Sequence, residues 1–178
     1  PMLMDLKGLD HSGSGDFTQD LFTLKTKTTA DSVTVVYDGV KYLKNVKADI
    51  TADLDMDIPN MKFTFKDADA KVNQLELGVD GWVAMPHDDI DMDLKWNMKK
   101  NDIGALLSLI PAEFASDMKG VDMSGKAAFS GYVKGTYNEK TMPGFGVTIN
   151  VDNGRFKYPD LPASVDNIYV DCNIQSPQ

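Results

Sequence analysis

The chain has 178 residues, of which 42 % are apolar and 25 % charged, enough for one folded domain with a core of its own. Its formal net charge of −9 excludes the basic footprint that nucleic acid or anionic headgroups require, so no nucleic-acid partner is expected. There is one cysteine, so no internal disulfide can form, and no apolar run reaches the ~18 residues of a membrane-spanning helix.

In chain order, the first turn signal is Asp38-Gly39, a dipeptide suited to a two-residue hairpin because its backbone tolerates positive φ. The run VKADITADLDMDI, residues 46–58, follows. Val46, Ala48, Ile50, Ala52, Leu54, Met56 and Ile58 alternate with Lys47, Asp49, Thr51, Asp53, Asp55 and Asp57. Period two predicts a strand with one apolar and one polar face. At about 3.4 Å per residue it would be roughly 44 Å long, about twice the usual length. Met61, Phe63 and Phe65 alternate with Lys62, Thr64 and Lys66, and Leu75, Leu77, Val79 and Val83 continue the pattern. Asp80-Gly81 reads as a second hairpin turn. Ile90, Met92, Leu94, Trp96 and Met98 then interleave with Asp89, Asp91, Asp93, Lys95 and Asn97.

One segment has helical spacing. Ile103, Leu106, Leu107 and Ile110 follow i, i+3, i+4, i+7, with Asn101 or Asp102 as the N-cap and Pro111 ending the helix; a second short turn is expected from Phe114 to Met118. Strand character returns with Phe129 and Val133 in a glycine-rich stretch, then Phe145, Val147, Ile149 and Val151. Asn153-Gly154 reads as a third hairpin turn, before Phe156, Tyr158, Ile168 and Val170. Cys172, in YVDCNI, reads as a small buried strand residue rather than a catalytic thiol. The expected fold is all-β and mainly antiparallel: a long curved meander forming a half-open clasp or a sandwich with an apolar interior, plus one short helix, in a single domain over residues 1–178. A weak internal repeat relates residues 61–83 to 145–170. The chain opens on Pro1 without a visible signal peptide and reads as a piece of something longer.

The chemistry-bearing patterns point away from catalysis. The runs DLDMD at 53–57 and DDIDMD at 88–93 resemble the start of a calcium loop, but the position where that loop needs glycine holds Ile58. Same-face carboxylates on one strand also lie about 6.8 Å apart along the backbone, too far to converge on an ion. No GxSxG, P-loop, HExxH or dinucleotide fingerprint is present. We therefore expect no enzyme, no metal and no cofactor. What the pattern does pose is a covering problem: one short helix cannot hide the apolar sides of so many long strands. Folding over as a sandwich or clasp, pairing with other material, or holding a lipid would each solve it. Methionines Met56, Met61, Met92 and Met98 are expected on that side, as gap fillers or as an adaptable lining.

Two segments carry a resemblance: NDIGALLSLIPAEFASDMKGVDMSGKAAFSGYVKGTY at 101–137 and MPGFGVTINVDNGRFKYPDLPASVDNIYV at 142–170. A short helix ending in LIP, a strand of form SGxxxFSGYVKG, an alternating strand, NGxFKYPDLP and a further strand follow in that order. This order resembles the C-terminal region of AsmA-like envelope proteins of the Bacteroidota type, which are similar to bridge-like lipid-transfer proteins. The resemblance implies a periplasmic module of a protein anchored in the inner membrane. It implies a curved sheet whose apolar groove binds or conducts phospholipid acyl chains for outer-membrane assembly, with outer-membrane assembly proteins as possible partners. Acyl chains would lie against Ile50, Leu54, Met56, Phe63, Phe65, Met92, Leu94, Trp96, Phe129, Val147 and Ile149, with Asp49, Asp53, Asp55 and Asp93 toward the periplasm. The competing expectation is a non-catalytic β-sandwich that serves as a scaffold or interaction module in envelope assembly.

Overall fold

Alternating side chains build long ladders here because each strand can offer a uniform face to its neighbours. The structure, a computed structural model, describes residues 2–37, 39–108 and 120–177. Ten strands form one antiparallel sheet: β1 (Met2–Lys7), β2 (Asp10–Ser14), β3 (Leu21–Tyr37), β4 (Val40–Asp57), β5 (Lys62–Val72), β6 (Leu75–Ala84), β7 (Ile90–Met98), β8 (Asp122–Tyr137), β9 (Gly144–Lys157) and β10 (Val165–Ser176). One helix, α1 (Ile103–Leu107), lies between β7 and β8. Spatial order follows chain order from β3 to β10, and β1 and β2 lie end to end along the outer edge of β3. The first and last strands do not meet, so the sheet is open. The sandwich alternative is not realised. Ile50, in the middle of the long strand β4, keeps 40 % of its surface exposed, whereas a facing sheet about 10 Å away would bury it.

The predicted long strand is real and extends further back than its alternation: β4 has 18 residues. It stops one residue short of the predicted end. Asp57 pairs with Lys62, leaving Ile58–Met61 as the turn. Met61 has φ 47° and Asn60 bonds the Asp57 carboxylate, so Ile58 and Met61 are turn residues rather than members of the apolar face. The pairing of Tyr37 with Val40 leaves a two-residue connection at the first predicted turn, where Gly39 has φ 82°; Asp38 lies outside the described residues.

The other two predicted turns are not turns. Asp80-Gly81 lies inside β6, where Lys66 and Asp67 of β5 together oppose Asp80 between the pairs Phe65–Gly81 and Ala68–Val79. Asn153-Gly154 lies inside β9, where both residues oppose Gly125 of β8. These are β-bulges. Gly81 (φ 124°) and Asn153 (φ 51°) supply the positive φ that a primed turn would also have used. The real turn after β5 is Asn73–Gln74, flanked by the pair Val72–Leu75, with Asn73 at φ 53°.

Asp102 is the N-cap of α1, accepting a hydrogen bond from the Gly104 amide at 2.9 Å. The described helix ends at Leu107, so the predicted Ile110, Pro111 and the turn at 114–118 lie outside the described residues. Cys172 is half-buried rather than buried, because β10 is the outermost strand and has a neighbour on one side only.

Candidate functional site

The ladder register places every predicted groove residue on one face. Met56 stands beside Phe63, Val83 and Met92 on successive strands; Leu54 stands beside Phe65, Gly81, Leu94 and Val133. The next row runs from Ala52 through Ala68, Val79, Trp96 and Gly131 to Val147. Ile50 lies in the row of Ala70, Leu77 and Met98, and Ile149 pairs with Phe129. Trp96 lies across Gly131, where a Cβ would collide with the indole ring. Glycine at that point lets the aromatic lie down on the sheet.

Away from α1, which covers Leu75 and Met98, burial on this face runs largely opposite to size. Five of the eight buried apolar residues among those described are alanines: Ala30, Ala52, Ala68, Ala105 and Ala127. The large residues Leu54, Met56, Phe63, Phe65, Met92, Leu94, Trp96, Val147 and Ile149 are only half-buried, and Ile50 is exposed. In a filled core the largest side chains are covered by a second layer. Here short side chains are hidden between taller neighbours and the tall ones remain open to solvent, as on an uncovered surface.

Among the described residues, α1 is the one helix on this face. Ala105 packs on Leu75 and Met98, with Leu77 and Phe129 beside them. Leu75, 1 % exposed, is the only fully buried large side chain among the described residues. The end of the helix is tied to the Asn73–Gln74 turn: Asn73 Nδ2 donates to the Ser108 carbonyl at 3.0 Å, and the Gln74 amide donates to Ser108 Oγ at 3.3 Å. Phe129, placed in the groove by sequence, is therefore partly beneath the helix.

Next to the helix-covered patch, a groove of about 290 Å³ opens on the same face with no polar surface in its lining. Leu6, Leu9, Ala30, Val33, Leu43, Val46, Ala48, Ile50 and Val72 line it together with Thr28, whose hydroxyl is hydrogen-bonded to His11. Of the sequence-predicted groove residues, only Ile50 lines it; Leu54, Met56, Phe63, Phe65, Met92 and Leu94 extend the apolar face toward the β4–β5 and β6–β7 turns, and Trp96, Phe129, Val147 and Ile149 carry it across β7, β8 and β9. Leu6, Val33 and Leu43 escaped sequence reasoning. Larger recesses of about 380 and 520 Å³ have mixed linings, with lysines, aspartates, hydroxyls and amides beside Trp96 and Tyr132 in the first and beside Leu21, Phe22 and Met56 in the second, so they are less uniform hosts for an apolar guest.

The opposite face explains the acidic composition. Carboxylates and lysines pair across strands: Lys66 with Asp55 at 2.5 Å, Lys134 with Asp93 at 2.8 Å, Lys100 with Glu76 at 2.8 Å, and Lys99 with Asp69. The Lys66 ammonium, with help from the Thr23 hydroxyl, holds the Asp55 carboxyl below its ordinary value, and Lys134 does the same to Asp93. Lys100 is the main cause of the lowered Glu76 value. Lys66 and Lys134 are raised in return by their carboxylate partners. These exposed pairs set register more than they stabilise. The aspartate runs are spent the same way: Asp57 accepts from Asn60, Asp89 from Asn138 and Asp91 from Thr136. Among the described residues, no three His, Cys, Asp or Glu side chains gather to hold an ion.

Comparison of the chain with known protein families, with characterised proteins and with solved structures finds no match.

Proposed function

We propose that this protein is a lipid-binding module of the AsmA-like type, a periplasmic portion of an envelope protein anchored in the inner membrane, whose apolar face holds phospholipid acyl chains. One observation carries this reading: an apolar-lined groove continues into a broad apolar face that, among the described residues, no second layer covers. Leaving that area in water is costly, and an acyl chain laid on it recovers about 0.8 kcal/mol per buried methylene. Holding or moving such a guest needs no bond making. It needs a lining without strong local minima, which Ile50, Leu54, Met56, Phe63, Phe65, Met92 and Leu94 supply as a run of aliphatic, thioether and aromatic surface. The polar face with its paired charges is then the side turned to the periplasm, and outer-membrane assembly proteins are the natural recipients of the cargo.

The test is direct. Protein purified without detergent is extracted and its lipids identified by mass spectrometry, and apo protein is titrated with a fluorescent acyl probe. Co-purifying phospholipid together with saturable probe binding is the expected result. Absence of both refutes the proposal.

A further inference from the structure

The two edges of the sheet are built differently. The β1–β2 edge is interrupted at Gly8, which has φ 60°, and is split into pieces of six and five residues with Lys7 at the break. Short, kinked, lysine-bearing edges resist the addition of further strands. The β10 edge is irregular in its first half, where register shifts between Val165 and Val170 and Asn167 has φ 57°, but its second half has neither kink nor lysine. Val165–Ser176 contains no lysine, arginine, proline or glycine, and from Val170 to Ser176 it stays in unbroken register with β9. One side of this segment presents Val170 and Ile174, 40 % and 52 % exposed, with Cys172 between them. The other presents Asp171, Asn173 and Gln175. The outward backbone N–H and C=O groups of such an edge are a template for pairing.

The charge pattern indicates what would pair. Across the polar face carboxylates meet lysines on the adjacent strand, as in Lys25–Asp53, Asp55–Lys66 and Asp93–Lys134. The pattern stops at the edge. Asp171 accepts a hydrogen bond from Asn150 at 3.1 Å and, among the described residues, has no ion-pair partner. A strand placed outside β10 would continue the pattern if it carried lysine opposite Asp171 and apolar residues opposite Val170, Cys172 and Ile174. A second copy fits poorly: its β10 brings no cation, and the chain's net charge is −9.

From this contrast we infer that β10 is a β-augmentation site, accepting an extended segment of a partner protein that alternates apolar and lysine residues. The site is independent of the acyl-chain reading, since it uses the edge of the sheet and not its face.

The probe is a synthetic peptide alternating valine and lysine over the length of Val170–Ser176, added to the unmodified protein. Hydrogen exchange should slow at the β10 amides and not along β1–β2. Replacing the peptide's lysines by glutamate should abolish this protection, and Asp171→Asn should weaken the lysine peptide by up to about five-fold, the reach of one exposed ion pair. Cys172, the only cysteine in the chain, gives a second readout. Peptides with cysteine in place of a valine, supplied as an activated mixed disulfide, should exchange onto the Cys172 thiol with release of the activating thiol, and those with cysteine in place of a lysine should not, because alternate residues face opposite sides. Equal protection by the glutamate peptide, cross-linking without period two, or β10-mediated pairing of two copies would each overturn the inference.

Discussion

Aspartate placed at Ile50 and at Leu75 should give opposite outcomes, because the two sites differ in cover rather than in chemistry. Leu75 is 1 % exposed beneath Ala105 of α1 and beside Met98. Leu75→Asp loses the packing of a buried leucine, about 2–5 kcal/mol, and adds an unpaired buried carboxylate. In a domain whose total stability is of order 5–15 kcal/mol, the cooperative transition should disappear or fall far. Ile50 keeps 40 % of its surface in solvent. Full burial of such a side chain contributes about 1.5–3 kcal/mol, so roughly 1–2 kcal/mol is at stake, and the new carboxylate can stay hydrated. For a chain of this size that is a fall of about 2–8 °C in Tm. The acyl probe should suffer more: losing the cover of only two methylenes costs about 1.6 kcal/mol, a factor of about fifteen in affinity. Differential scanning calorimetry and probe titration on both variants decide the matter. If Ile50→Asp unfolds as Leu75→Asp does, the groove is a roofed core. If it folds and binds the probe unchanged, the guest lies elsewhere.

Three further outcomes follow from the same geometry. Asp55, Glu76 and Asp93 have lowered values when folded, so their contribution is present above the ordinary carboxylate range and is lost as pH falls through their folded values; Lys66 and Lys134 are raised, so theirs is present below about 10.5 and lost as pH rises beyond it. Tm measured against pH should therefore be flat through neutrality, dropping in acid below about pH 4 and again in strong alkali. Gly81→Ala should cost at least about 1 kcal/mol, read as a lower urea midpoint at unchanged m, because φ is 124° and the added Cβ would collide with the Asp93 carbonyl oxygen. Asp102→Ala removes the α1 cap and about 1 kcal/mol, and should speed hydrogen exchange at Ala105 and Leu106 while leaving the β3–β4 ladder unchanged.

Much of the fold was legible wherever alternation ran unbroken. Ile50 to Asp57 and Ile90 to Met98 fall on strands with the predicted sides in and out, and the helix begins at one of its two predicted caps. The two misread turns share one cause. Asp80-Gly81 and Asn153-Gly154 have the residues of a hairpin turn, but positive φ serves a bulge equally well, and only the pairing of the neighbouring strands decides between them. The real turn at Asn73–Gln74 carried a weaker dipeptide signal and was missed. The sandwich and the open sheet were never distinguishable from side-chain order, because both need the same alternation on each strand.

The groove itself shows why its walls were the least legible part. They come from the stretch where β3 and β4 slip register between Ala30 and Val33, again between Val33 and Val35, and once more before Val36. Each slip inserts residues that shift the parity. Asp31 and Ser32 sit together opposite Lys47, and Lys44 and Asn45 sit together opposite Thr34, with Asn45 at φ 53°. Leu43 and Val46 therefore share a face although they are three residues apart, a spacing that period-two reading assigns to opposite faces. The same insertions bend and twist a strand pair locally. A regular ladder would have carried a flatter apolar stripe past this point. The bulges that erase the pattern in the sequence are thus also the features that bend these strands where Leu6, Leu9, Val33, Leu43 and Val46 close around an apolar hollow.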